Sequence, residues 1–317
     1  MAASALPFLS LPLVGAGGEP VSLRATLGSH GLAWLPPNEI SADAGRLATT
    51  LRLRDGSARA IVAIEEPPGM LAIRVAGRAP SARTAAEIVA AARAILALDD
   101  DLAPAYARFA RDTEFAFAAA GFGRLLRSPT AFEDVVRTIC TTNCAWSATE
   151  RMIAALVTHL GTPAAGAPAT GWQGRAFPTA AQIMAAGDAF FRDVARAGYR
   201  GAYLQALARA TVANAIDLEA WRAAPRRKLA DAELETRLLA LPGVGPYAAA
   251  HVMLLFGRRS RLVLDSWTRP TYARLVGKKF VADRTILRRF ARYGDEAGLA
   301  FWLFLWKKRH LGEEVRK

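Results

Sequence analysis

The stretch LPGVGPYAAAH, Leu241 to His251, stops a helical chain and restarts it almost at once. Leu238, Leu239 and Leu241 carry the apolar positions before the break; Ala248, Ala249 and Val252–Phe256 carry them after it. Gly243 and Gly245 permit positive φ or the close approach of another backbone. Pro246 stands at a first helical position, where a missing N–H loses nothing. The short run Ala248–Ala250 lets two helices approach closely. The turn has two uses. It is either a plain connection between packed helices, or a place where unpaired amides and the positive end of a helix dipole hold an anion such as phosphate.

The surroundings are helical from about residue 101 onward. Ser128-Pro129 reads as an N-cap followed by a first-turn proline, and Thr179 with Gln182 as a capping box. Gly161–Gly171, GTPAAGAPATG, is a flexible connection between helices, and no internal repeat is evident. Residues 1–100 read differently. Val21–Gly28, Thr49–Asp55, Ala58–Glu66 and Met70–Gly77 alternate and are rich in β-branched residues, as strands are, with the Asp55-Gly56-Ser57 turn joining two of them. Thr84–Leu98 then has helical spacing and a capping-box start, Thr84 to Glu87. The fold class expected is α+β: mostly α, with an N-terminal antiparallel sheet over residues 1–100. A two-lobed helical body follows over 101–317, its hairpin spanning 233–257.

Charge narrows the partner. The 317 residues carry a formal net charge of +13, and of the 41 basic residues only 6 are lysine. Guanidinium groups suit phosphate, so the excess points to nucleic acid or an anionic membrane surface; a base-composition bias also enriches arginine and alanine. The stretch MAASALPFLSLPLVGAGG lacks the basic start of a signal peptide, and no run of ~20 apolar residues suggests a membrane span. A cytoplasmic, nucleoid-associated protein is expected, with no membrane partner. The two cysteines, Cys140 and Cys144, are too few for a four-cysteine zinc site or an iron–sulfur cluster. No metal is expected, and the i, i+4 spacing suits packing of reduced thiols.

Downstream of the hairpin, RLVLDSWTRP (Arg261–Pro270) buries three apolar residues and then presents Asp265 before another helical stretch. Asp is a preferred N-cap. The same carboxylate, beside an anion-binding turn, also suits stabilisation of positive charge on a sugar and the orientation of water.

The pairing of LPGVGPYAA with VLDSWTRP resembles the helix-hairpin-helix DNA glycosylase superfamily. SPTAFEDVVRTICTTNCAWSATERM (Ser128–Met152) is similar to the helix and loop by which these enzymes enter the duplex, and AGYRGAYL (Ala197–Leu204) to a turn found in them. The N-terminal sheet is similar to that of the AlkA-type, 3-methyladenine DNA glycosylase II, and 8-oxoguanine branches. The resemblance therefore spans nearly the whole chain. It implies that Asp265 is the catalytic carboxylate and that Gly243, Val244 and Gly245 grip a phosphate, with a monovalent cation at the hairpin and no other cofactor. It puts Asn143 against the vacated base stack or the orphaned partner base, and Tyr247 beside the DNA where bifunctional members carry a nucleophilic lysine. A phenol forms no imine, so a monofunctional enzyme without lyase activity is expected, acting as a monomer on double-stranded DNA with a damaged, alkylated base. Trp267, Tyr272 and Trp146 are the aromatic candidates for the base pocket. The alternatives are 8-oxoguanine specificity, or a lesion-binding protein without catalysis.

Overall fold

The computed structural model describes residues 8–310, with side chains described as far as residue 307. The start of the N-terminal apolar stretch, and most of the side chains of the Trp306–His310 run, lie outside the described residues.

A five-stranded antiparallel sheet of order β1-β5-β4-β3-β2 opens the chain. Its strands are β1 Phe8–Pro12, β2 Glu39–Ser41, β3 Arg46–Arg52, β4 Ala58–Glu65 and β5 Met70–Val75. The Asp55–Ser57 turn joins β3 to β4 as its residues require: Leu53 N–H donates to Ser57 O at 2.8 Å, and Gly56 takes φ +86°. Pro12 is tolerated because β1 is an edge strand. One expected strand is a helix: within Val21–Gly28 lies α1, Leu23–Leu27. Its leucines sit at i, i+4 and both are fully buried against the sheet, while Ser22 Oγ accepts from Ala25 N–H at 3.2 Å. One-sided burial and a cap outweighed the alternating pattern.

Helix α2 (Ala82–Ile95) covers the sheet through Ile88, Ala92 and Ile95. Its cap is Ser81, one turn earlier than the Thr84–Glu87 box expected; Glu87 Oε2 instead accepts from Arg54 N–H at 3.0 Å. The helical body follows: α3 Ala103–Phe109, α4 Ala131–Cys140, α5 Trp146–Leu160, α6 Ala180–Ala185, α7 Gly187–Ala189, α8 Arg200–Val212, α9 Leu218–Ala223, α10 Asp231–Leu239, α11 Pro246–Leu255, α12 Thr268–Leu275, α13 Asp283–Phe290 and α14 Ala297–His310. Thr130, not Ser128, caps α4, accepting from Glu133 N–H at 3.2 Å. The Thr179–Gln182 capping box at α6 is present.

Two further apolar cores divide these helices. One gathers Val135, Ile139, Ile153, Leu207, Leu238 and Val252 from the middle of the chain. The other is aromatic, built on Phe109 and Phe115 before that stretch and on Phe290, Phe301 and Phe304 after it. The chain thus enters this second core, leaves it, and returns through the segment that carries Asp265. Among the described residues no helix is long and apolar enough to cross a membrane, and no cluster of histidine, cysteine or carboxylate side chains is arranged to hold a metal.

Candidate active site

The hairpin between α10 and α11 uses its two glycines differently. Gly243 has φ +82°, and a Cβ there would lie 2.7 Å from Tyr203 Cδ2 and 3.3 Å from Ile139 Cγ2. Both its conformation and its neighbours demand glycine. Gly245 is exposed with φ −94°, and a Cβ there would meet nothing within 4 Å. Nothing among the described residues requires glycine at that position. Val244 serves the turn itself: its side chain is buried in the middle core and its amide donates to Leu241 O at 3.1 Å. Among the described residues the amides of Gly243 and Gly245 have no acceptor. They stand at the positive end of α11, where the first helical amides are also unpaired.

Buried Leu262 and Val263 carry the chain from α11 to Asp265, which is half-buried. Its Oδ1 accepts from the amides of Trp267 at 2.8 Å and Thr268 at 2.6 Å, and its own amide donates to Thr268 Oγ1 at 2.8 Å. Thr268 is wholly buried, so this reciprocal pair fixes the carboxylate in place. Among the described residues Oδ2 accepts no hydrogen bond. Asp265 therefore caps a helix with one oxygen and leaves the other open.

Tyr247, in the first turn of α11, is close enough to feel the charge of this carboxylate. Burial pushes its phenol up to about 12, and the negative charge of Asp265 adds to the effect. The hydroxyl lies 3.1 Å from Thr141 Oγ1, which ties α11 to the end of α4. Beyond Thr141 the α4–α5 loop exposes Asn143 at φ +48°, a conformation that Asn adopts more readily than most residues. Arg200 steadies the loop, its Nε donating to Thr142 O at 3.0 Å while its guanidinium stacks 4.6 Å from the Tyr199 ring centre. Trp146 opens α5 with 42% of its surface exposed and lies over Gly31, where a Cβ would come within 3.2 Å of its ring.

Of the three aromatic pocket candidates, Tyr272 is misplaced. It is 3% exposed and packs against Phe290, Phe301 and Phe304 in the aromatic core, because it faces inward from α12. Trp267, 44% exposed beside Asp265, leans towards Trp302 with ring centres 6.3 Å apart. Trp302 of α14 also meets His251 at 5.9 Å and donates from Nε1 to Ser29 O at 2.9 Å. His251 in turn lies 6.0 Å from Tyr247 and 5.6 Å from His30. These residues form a chain of ring contacts running from Trp267 to His30 and Tyr247, drawn from three distant parts of the chain. His251 was legible as one helical turn beyond Tyr247; His30 and Trp302 carry no local signal. Burial pulls His30 down to about 3 and His251 to about 4, so both are neutral at neutral pH. His30 Nε2 lies 2.7 Å from Leu126 O, while His30 Nδ1 and both nitrogens of His251 have no partner among the described residues.

No family model matches the sequence, and no curated protein does. Solved structures do match the fold along nearly its full length. A 3-methyladenine DNA glycosylase from Archaeoglobus fulgidus superimposes with a TM-score of 0.70 at 19% identity, covering 96% of this chain and 99% of its own. MBOgg1 in complex with a low-affinity DNA ligand gives 0.70 at 19% identity, covering 99% and 98%. The 8-oxoguanine glycosylase/lyase of Clostridium acetobutylicum, bound to double-stranded DNA, gives 0.67 at 18% identity, covering 92% and 93%. This chain has the fold of these DNA glycosylases.

Proposed function

We propose that the protein is a monofunctional DNA glycosylase. It turns a damaged nucleotide out of duplex DNA and hydrolyses the N-glycosidic bond. The observation that carries this reading is the divided use of Asp265, with one oxygen tied to helix amides and the other open beside Tyr247. An anion held in this way stabilises positive charge developing on the sugar and orients a water against C1′, with little reorganisation during the reaction. The unpaired amides of Gly243 and Gly245 grip a backbone phosphate, and Asn143 enters the space that the base vacates.

Three features support an alkylated purine as substrate. Such a base already carries positive charge and leaves without protonation. The His30 and His251 imidazoles are neutral, and the Tyr247 phenol is a weaker acid than usual, so none of these three readily protonates a neutral leaving base. Trp267 offers an exposed ring beside the carboxylate for a cationic base to stack on. With tyrosine at position 247, the site has no amine there to attack the sugar.

A second reading, release of 8-oxoguanine, is favoured by one observation: the unpartnered nitrogens of His251 offer a donor and an acceptor to a neutral lactam base. For the monovalent cation that the resemblance brings to the hairpin, the donors are main-chain carbonyls, which suit a hard ion. The Leu241 carbonyl accepts from Val244 and keeps a second lone pair. Such an ion would steady the turn against a phosphate.

Mass spectrometry of bases released from methylated and oxidised genomic DNA tests the reading. Free 3-methyladenine or 7-methylguanine is expected; 8-oxoguanine alone would favour the second reading. Tight binding to an abasic-site analogue without release of any base would leave only a lesion-binding protein. Borohydride is expected to trap no enzyme–DNA adduct.

A further inference from the structure

We propose that the loop joining α12 to α13, together with the exposed side of α13, is a second DNA-contact surface, in which Phe280 stacks on an unstacked base while the surrounding cations hold phosphates. The inference rests on the reading that the protein acts on DNA.

Phe280 is 76% exposed, the most exposed large apolar side chain among the described residues. Its position is built into the fold. Gly277 closes α12 at φ +70°, Lys278 N–H donates back to Ala273 O at 2.8 Å, and Val281 is buried. With the loop pinned on both sides, Phe280 is held in water, where an aromatic ring gains nothing.

Its surroundings are cationic. Arg274, Lys278, Lys279, Arg284 and Arg288 are all exposed, and among the described residues none is ion-paired. The one carboxylate in this stretch, Asp283, is taken by Arg269 at 2.8 Å. On α13, Ile286 and Phe290 turn into the aromatic core while Arg284 and Arg288, at i, i+4, stay outside. Unpaired cations around an exposed ring are the composition that binds a nucleic acid strand: charge tracks the backbone, and the ring accepts any base face.

The position favours DNA over other anionic partners. Asp265 lies three residues before α12 and Phe280 five residues after it, and the eight residues of the helix between them span about 12 Å. That is roughly the rise of three to four base pairs, a length within the span of one strand bound at the carboxylate.

Fluorescence anisotropy across a salt series, on undamaged duplex and on duplex carrying a tetrahydrofuran abasic-site analogue, tests the assignment. Removing both lysines, Lys278→Gln with Lys279→Gln, is expected to lower the slope of log Kd against log salt by about 1.8, at about 0.9 per lost phosphate contact. The control pair Arg54→Gln with Arg78→Gln removes two exposed cations from the sheet region and should change the slope by much less. Phe280→Ala is expected to weaken binding to the abasic duplex about five- to tenfold, the scale of one lost stack, and Phe280→Tyr to restore it. An unchanged slope, an equal fall in the control pair, or parental affinity in folded Phe280→Ala would overturn the proposal while leaving the glycosylase reading intact. A parent chain that binds no DNA would overturn both.

Discussion

Around Arg124 the buried interior matches charge with charge, whereas around His251 it leaves polar groups unanswered. Arg124 donates to Glu19 and to the carbonyls of Ala97 and Asp100; Arg127 is paired with Asp100, and Arg259 with Glu296 at 2.6 Å. In α4, Arg137 donates from Nε to Glu133 at 2.9 Å and from Nη1 to the carbonyls of Leu32 and Leu35 at 3.0 and 3.1 Å. Single atoms such as Arg124 Nε and Glu19 Oε2 stay unpartnered there, but every guanidinium faces a carboxylate. His251, equally buried, has no partner on either nitrogen among the described residues. An unanswered buried polar group costs about 1–3 kcal/mol. Stability therefore accounts for the first region and works against the second. Regions that break the rule of polar satisfaction are where function is to be sought.

Three experiments press on this contrast. The largest effect is expected from Arg137→Met, which strands the Glu133 carboxylate in the interior. Urea denaturation should report a loss of about 3–5 kcal/mol; a loss below about 1 kcal/mol would mean that matched charge is not what holds this region. Next, Asp265→Asn removes the charge but keeps a side chain that caps equally well. The excision rate should fall by at least ~10²-fold at an unchanged melting temperature, and near-parental turnover would reduce Asp265 to a cap.

The smallest effect is expected from His251→Leu, read through pH. A histidine whose folded value is pulled down to about 4 supports stability above its unfolded value of 6.5 and loses that support as pH falls towards 4. His30, pulled down to about 3, behaves the same way, while Asp134, pushed up to about 6 by burial, acts in the opposite sense. Replacing His251 should thus remove about 1.4 kcal/mol per pH unit from the acid slope of stability between pH 6 and 4. At pH 7 the leucine variant should be no less stable than the parent. An unchanged slope would show that His251 is already satisfied, by water for instance.

The features that were legible are those whose causes are local. The hairpin follows from glycine, proline and apolar spacing within one short stretch, and the β3–β4 turn from Asp55-Gly56-Ser57. The misreadings came where a local pattern had two solutions. Val21–Gly28 alternates like a strand, yet it also places Leu23 and Leu27 one helical turn apart. Tyr272 follows the carboxylate closely in sequence, but the turn of α12 points it into the aromatic core. Gly243 and Gly245 look equivalent in the sequence, and only the packing of Tyr203 and Ile139 tells them apart.

By itself the sequence determined that this is a helical chain with a sheet at its front, a hairpin with free amides and a carboxylate soon after, since short-range sterics and periodicity dictate each of these. Only the tertiary structure decided what packs against Tyr247 and Trp267. His30, His251 and Trp302 meet because three separate segments pack together. Which side chains share such contacts depends on how whole helices dock, and no spacing along the chain encodes that.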